Sequence, residues 1–153
     1  MGYHTEFRGE IELDRPVDPE TAEFMDALAQ TRRMKRNVGP EYGEEGEFYI
    51  KDDDEGIIDD NHPPGKQPSL WLQWVLTPDR QHLVWDEGEN FHEPIGWMIY
   101  LRDKVLNPRG YQLVGGSIEW YGGEKWDYGV MEAKENKIIV RYGEGSPIQG
   151  GTY

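Results

Sequence analysis

The chain has 153 residues, no cysteine and a formal net charge of −14. That length suits one domain with a real core, and the missing thiols exclude disulfides, thiolate metal sites and cysteine nucleophiles together. Six Trp and nine Tyr exclude disorder in spite of the charge, because that much ring area left in water drives aggregation.

No apolar run approaches the ~18 residues of a transmembrane helix. The opening Met1-Gly2-Tyr3-His4 has neither the basic nor the apolar region of a signal peptide. Glu6 stands where myristoylation requires Ser or Thr, and no Asn-x-Ser/Thr sequon occurs. A cytoplasmic protein is expected. The acidic balance disfavours direct contact with DNA, RNA or an anionic membrane, since cationic side chains are what grip phosphate. Plain solubility is the simpler reading of the same charge.

In chain order, residues 3–13 alternate Phe7, Gly9, Ile11 and Leu13 against Arg8, Glu10 and Glu12. A period of two predicts a strand with one wet face. Asp18 then caps a helix with Pro19 in its first turn and Glu20 and Glu23 at its positive end. Phe24, Met25 and Leu28 form the apolar stripe, and the helix is expected to reach residues 31–33. Residues 39–66 read as acidic loop, with short strands possible at 47–51 and 56–59, and Pro63-Pro64 and Pro68 holding the chain extended. Leu70-Trp71-Leu72-Gln73-Trp74-Val75-Leu76 is apolar on both faces and predicts a central strand. A turn at Pro78-Asp79-Arg80-Gln81 makes a hairpin with residues 82–85.

A second helix is predicted over 89–106, on the spacing of Phe91, Met98 and Val105, with Pro94 tolerable only in the first turn. Asn107-Pro108-Arg109-Gly110 stops it. Three strands follow at 111–121, 126–133 and 137–142, with turns at Gly122-Gly123 and Glu135-Asn136 and a bulge at Gly115-Gly116. The expected fold is α+β, an antiparallel sheet with two helices on one face in the order β-α-βββ-α-βββ. Residues 1–142 form the domain, and 143–153 a flexible tail.

Charge is strongly segregated. Arg32, Arg33, Lys35 and Arg36 put four cations in six residues, and residues 41–60 carry ten acids and one Lys, nine of the fourteen net charges. The arginines offer forks to a phosphate or carboxylate. The plainer alternative is that the acidic loop folds back onto them. Read outward, Asp52, Asp53, Asp54, Glu55, Asp59 and Asp60 imitate a nucleic-acid backbone, although Gly43, Gly46 and Gly56 argue for flexibility. A calcium loop starting at Asp52 fails, since Gly56 falls at position five where position six is required.

Trp71, Gln73 and Trp85 offer stacking and an amide for a small molecule, against the usual role of such residues in a core. Asp86, Glu87 and Glu89 sit between strand and helix, as an acid/base pair or, more simply, as helix caps. The four His are scattered, and no nucleophile elbow, Walker loop or dinucleotide fingerprint is present. Neither catalytic residue, metal nor cofactor is implied.

The stretches Gly2-Tyr3-His4-Thr5-Glu6-Phe7-Arg8-Gly9, Thr31-Arg32-Arg33-Met34, Gln67-Pro68-Ser69-Leu70-Trp71-Leu72-Gln73-Trp74 and Trp85-Asp86-Glu87-Gly88-Glu89 occur together. Through them residues 2–142 resemble a family of small acidic proteins of bacteriophages and of bacterial, notably actinobacterial, genomes, a family with no assigned activity. Leu72 stands where that family has a cysteine and Asn90 where it has a lysine, so no thiol chemistry carries over. The resemblance implies a context, that of small acidic phage proteins that often act by binding host proteins, sometimes as nucleic-acid mimics. The expected role is a non-enzymatic protein that binds or inhibits a host or phage macromolecule, a protein partner first, through its segregated charged surface. The alternative is a nucleotide or other anion site built from Arg32, Arg33, Trp71, Gln73 and Trp85. A third, an assembly role, predicts a symmetric oligomer.

Overall fold

The computed structural model describes residues 5–123, 127–146 and 148–153. In chain order its strands are β1 (Glu6–Leu13), β2 (Lys35–Arg36), β3 (Ile57–Asp59), β4 (Trp74–Leu76), β5 (His82–Trp85), β6 (Leu113–Tyr121), β7 (Tyr128–Lys134), β8 (Lys137–Tyr142) and β9 (Gly151–Thr152). Seven of them form an antiparallel sheet in the order β4-β5-β1-β6-β7-β8-β9, while β2 and β3 pair apart. The class is the α+β expected, with two helices, α1 (Pro19–Gln30) and α2 (Pro94–Tyr100).

The period-two pattern decides which sheet face is dry. Phe7, Ile11 and Leu13 of β1 are buried, and Ile118, Trp120, Met131, Ala133, Ile138 and Val140 extend that layer across the later strands. Arg8, Glu10, Glu12 and Glu119 alternate to the wet face. Met25 and Leu28 of α1, and Trp97 and Met98 of α2, close the core from the helix side. Truncating a fully buried residue such as Leu28 to Ala costs about 2–5 kcal/mol at sites of this kind.

Asp18 caps α1 as expected, accepting from the Thr21 amide at 2.7 Å, and its carboxylate also receives the Tyr111 hydroxyl at 2.9 Å. Those donors, the Thr21 amide first, hold its pKa below the ordinary carboxylate value. The bulge at Gly115-Gly116 is present, since Glu12 pairs with Gly115 and Leu13 with Leu113. Gly116 sits at φ 86°, and a Cβ there would lie 2.2 Å from the Glu10 carbonyl oxygen, so only glycine fits. Glu135 and Asn136, with φ of 51° and 61°, make the tight turn joining β7 to β8.

Six expectations change. Thr31 is already extended, with φ −110° and ψ 128°, so the basic cluster follows α1 as extended chain instead of ending it. Residues 47–51 form no strand, and Pro64 opens a turn closed by the Gln67 amide at 3.1 Å. The apolar run 70–76 supplies only β4, and at the sheet edge, where β4 packs against α1 and α2; Leu72 and Trp74 are buried, but Trp71 is exposed and Val75 and Leu76 are half-buried, because an apolar pattern does not fix a strand at the centre of a sheet. The second helix starts at Pro94, five residues late, because proline belongs in a first turn; it continues through a π-helical stretch, Leu101–Leu106. The tail does not end free, since β9 pairs with β8 and Tyr153 exchanges backbone bonds with Ile138 at 2.8 and 2.9 Å. Tyr3 and Trp126, expected near strand starts, lie outside the described residues.

Candidate functional site

The basic cluster and the acidic segment do meet, but through carbonyls more than through carboxylates. Arg33 is 1% exposed. Its Nη2 donates to the carbonyls of Glu47 and Tyr49 at 2.9 and 2.8 Å, and its Nε donates to Gln67 Oε1 at 3.0 Å. Gln67 in turn donates to the Glu47 carbonyl and to the Tyr100 hydroxyl, which donates to the Glu47 carboxylate. Burial pulls the Arg33 pKa down to about 10, still charged at neutral pH, and pushes the Tyr100 phenol up, with the Glu47 bond adding to that rise. Arg33 Nη1 has no hydrogen-bond partner among the described residues.

Arg36, 2% exposed, repeats the arrangement one turn of the loop further. It donates to the carbonyls of Glu55 and Asp53, both at 2.8 Å, and its Cζ lies 4.5 Å from the centre of the Tyr49 ring. The Tyr49 hydroxyl donates to Asp53 at 2.8 Å and to Glu55 at 3.1 Å. Burial and then these carboxylates raise the Tyr49 pKa, while the Glu55 amide and Tyr49 lower that of Asp53. Asp59 is lowered as well, by the Asn61 amide first and then by His62.

Two buried guanidinium groups therefore fix the segment from inside. Neither Arg33 nor Arg36 is available to a solvent anion, which corrects the expectation of a four-cation binding surface. Lys35 is held by Glu45 at 3.6 Å, and Arg32 donates to the Asp60 carbonyl at 2.9 Å. Of the ten acids only Glu47 is buried and Asp59 half-buried; the rest are exposed. The Asp52, Asp54 and Asp60 carboxylates make no hydrogen bond or ion pair with any described residue. The segment gives the carbonyls of Glu47, Tyr49, Asp53 and Glu55 to the buried guanidinium groups and, Glu47 and Asp59 apart, leaves its acidic side chains exposed.

The second constellation divides. Gln73 is buried, accepts from the Trp85 indole at 3.2 Å and donates to the Glu89 carbonyl at 2.8 Å, so both side chains brace the 86–93 loop. Asp86 accepts from the Gly88 amide at 2.7 Å in the same loop and caps no helix. Trp71 is exposed, at 42%, and shares a recess of ≈ 460 Å³ with Arg32, Glu89 and His92.

Sequence reasoning missed a second cavity, a cleft of ≈ 450 Å³ beside α2. Phe7, Trp74, Phe91, Trp120, Tyr142 and Tyr153 contribute its rings and Glu93 a carboxylate. These residues are spread over nearly the whole chain, so no local spacing announces them. The one available signal was Pro94, whose place in a first turn puts Glu93 at the helix start. Gly129 seats the Trp120 indole, since a Cβ there would lie 2.1 Å from Cζ2 of that ring.

Among the described residues no group of three or more His, Asp or Glu is arranged to hold a metal ion, and no helix is long and apolar enough to cross a membrane. Comparison with protein-family models, with curated proteins and with solved structures finds no match for the chain.

Proposed function

We propose that this chain is a non-enzymatic binding protein that engages a basic macromolecule, a host or phage protein that handles nucleic acid, through the outward carboxylates of residues 41–60. The observation carrying this reading is the buried pair Arg33 and Arg36. By binding the segment's carbonyls, they order it without neutralising Asp52, Asp54 and Asp60. A pre-ordered acidic surface loses little conformational entropy on binding, and its field speeds encounter with a cationic partner. The flexibility argued from Gly43, Gly46 and Gly56 is thus offset by the guanidinium anchors. The resemblance to small phage proteins supplies the context of a host-directed binder or inhibitor.

The test is capture of basic partners at low salt and at ~0.5 M salt, beside a variant with Asp52, Asp54 and Asp60 changed to Asn. Binding should fall at high salt, in the triple variant and on addition of competing duplex DNA. Capture unchanged by salt and by the three substitutions sinks the reading.

A nucleotide or small-anion site has one observation in its favour, the recess that Arg32 shares with Trp71. Glu89 in the same recess opposes an anion, and Arg32 is already engaged with Asp60. Thermal-shift screening separates this reading from the first, since a nucleotide at ~100 times its Kd stabilises by ~2.7 kcal/mol.

A further inference from the structure

The cleft beside α2 has a composition unlike any other recess of the molecule described above. Phe7, Trp74 and Phe91 meet edge to face, with ring centres 5.3, 5.8 and 4.9 Å apart pairwise. Trp120 meets Tyr142 at 5.5 Å and 72°. Phe7, Trp74 and Trp120 are buried at the back of the cleft, while Phe91, Tyr142 and Tyr153 keep accessible ring surface there, and a ring face carries the negative lobe of the quadrupole.

The charged lining is of one sign. Glu93 and Asp127 line the cleft, and no Lys, Arg or His does so among the described residues. The Glu93 carboxylate makes no hydrogen bond or ion pair with any described residue and does not cap the helix it precedes. Its backbone is left-handed, at φ 58° and ψ 50°, where Gly or Asn would sit with less strain. A non-glycine residue held in that region is a recurrent mark of functional sites. Burial, then Tyr153 and Glu93, keep the Tyr142 hydroxyl above its ordinary pKa, so that ring stays a neutral phenol.

We propose that this cleft binds a small organic cation of the quaternary or methylated ammonium class, its methyl groups against the aromatic rings and its charge facing Glu93. The charged groups among the described lining residues are carboxylates, which disfavour an anion. A fully hydrated metal ion gains nothing from the rings. A methylated ammonium combines weak hydration with diffuse charge, which suits aromatic faces and one carboxylate. A cavity of ≈ 450 Å³ is also of the size that accepts such a molecule whole. The acidic segment 41–60 contributes no lining residue, so this site stands or falls independently of the proposed partner surface.

Choline, tetramethylammonium and the neutral carbon isostere 3,3-dimethyl-1-butanol are titrated into the full chain by calorimetry and proton NMR. The cations should bind about tenfold more tightly than the isostere, with their N-methyl resonances moving upfield under the ring currents. Glu93→Gln should weaken choline about tenfold and leave the isostere unchanged. Phe91→Leu should reduce the preference for the cation, and retained isostere binding in that variant reports an intact cleft. Equal binding of choline and isostere overturns the proposal, as does the absence of binding in a protein that unfolds cooperatively. Choline affinity unchanged in Glu93→Gln overturns the role of the carboxylate.

Discussion

The guanidinium carbon of Arg36 lies 4.5 Å from the centre of the Tyr49 ring, and the two side chains hold the same residue, Asp53: Arg36 donates to its carbonyl at 2.8 Å and reaches its carboxylate at 3.4 Å, and the Tyr49 hydroxyl donates to that carboxylate at 2.8 Å. A charge, a ring and a carboxylate are thereby stacked under a loop that otherwise has little secondary structure. The arrangement explains how residues so rich in like charge keep one conformation.

Arg36→Lys keeps the charge but cannot reach both carbonyls as a planar fork does. We expect it to lower stability by about 1–2 kcal/mol in urea denaturation, at the level of one or two lost hydrogen bonds to a charged group. Tyr49→Phe removes only the hydroxyl bonds to Asp53 and Glu55 and should do less. Equal stability of Arg36→Lys and the parent would show that the fork does not matter.

Arg33 separates charge from shape. Arg33→Ala leaves the Tyr49 carbonyl and Gln67 Oε1 without their donor inside the protein and takes one of two donors from the Glu47 carbonyl. A loss of about 3–5 kcal/mol is expected, the usual result of removing one partner from a buried charged network. Arg33→Met fills the space and should destabilise less than Ala, because burial of the guanidinium itself is unfavourable. The order Ala worse than Met, read from denaturation midpoints at unchanged slope, checks this.

On the wet face of the sheet, His82 lies 3.0 Å from Asp79, 3.5 Å from Glu12 and 3.9 Å from Glu10. Burial works against the imidazolium, but Asp79, Glu10 and Glu12 outweigh it and raise the His82 pKa above 6.5. A raised pKa in the folded state means stability that is complete below the ordinary value and lost as pH rises through the folded one. Asp79 runs the other way: the Thr77 hydroxyl first, then the Gln81 amide and His82, bring it down to about 2. Its contribution is present above 3.8 and lost as pH falls toward 2. Melting of the parent and of His82→Gln from about pH 5 to pH 9 should therefore show the largest difference below about pH 6.5, shrinking above it. A difference independent of pH would contradict the assignment.

Local signals in the chain were readable where local physics decides. The alternation of β1, the Asp18 cap, the Glu135-Asn136 turn and the Gly115-Gly116 bulge each depend on a few neighbouring residues. The fate of Arg33 and Arg36 was not readable, because the carbonyls that bury them lie 14 to 19 residues away and carry no side-chain signature. The run 70–76 misled for a related reason: Leu72 and Trp74 are buried where β4 packs against α1 and α2 while Trp71 stays exposed, and a pattern of apolar residues does not say which of them are covered. The aromatic cleft was hidden by its dispersal from Phe7 to Tyr153.

The acidic platform can be tested directly by backbone 15N relaxation of residues 44–60 in the unbound protein. If Arg33 and Arg36 hold the segment rigid, its order parameters should stand near the ~0.85 of a rigid backbone, and Arg36→Ala should bring residues 52–56 down toward ~0.6. Values at or below ~0.6 across the segment in the parent protein would contradict the account, because mobile carboxylates are not a preformed surface for a basic partner.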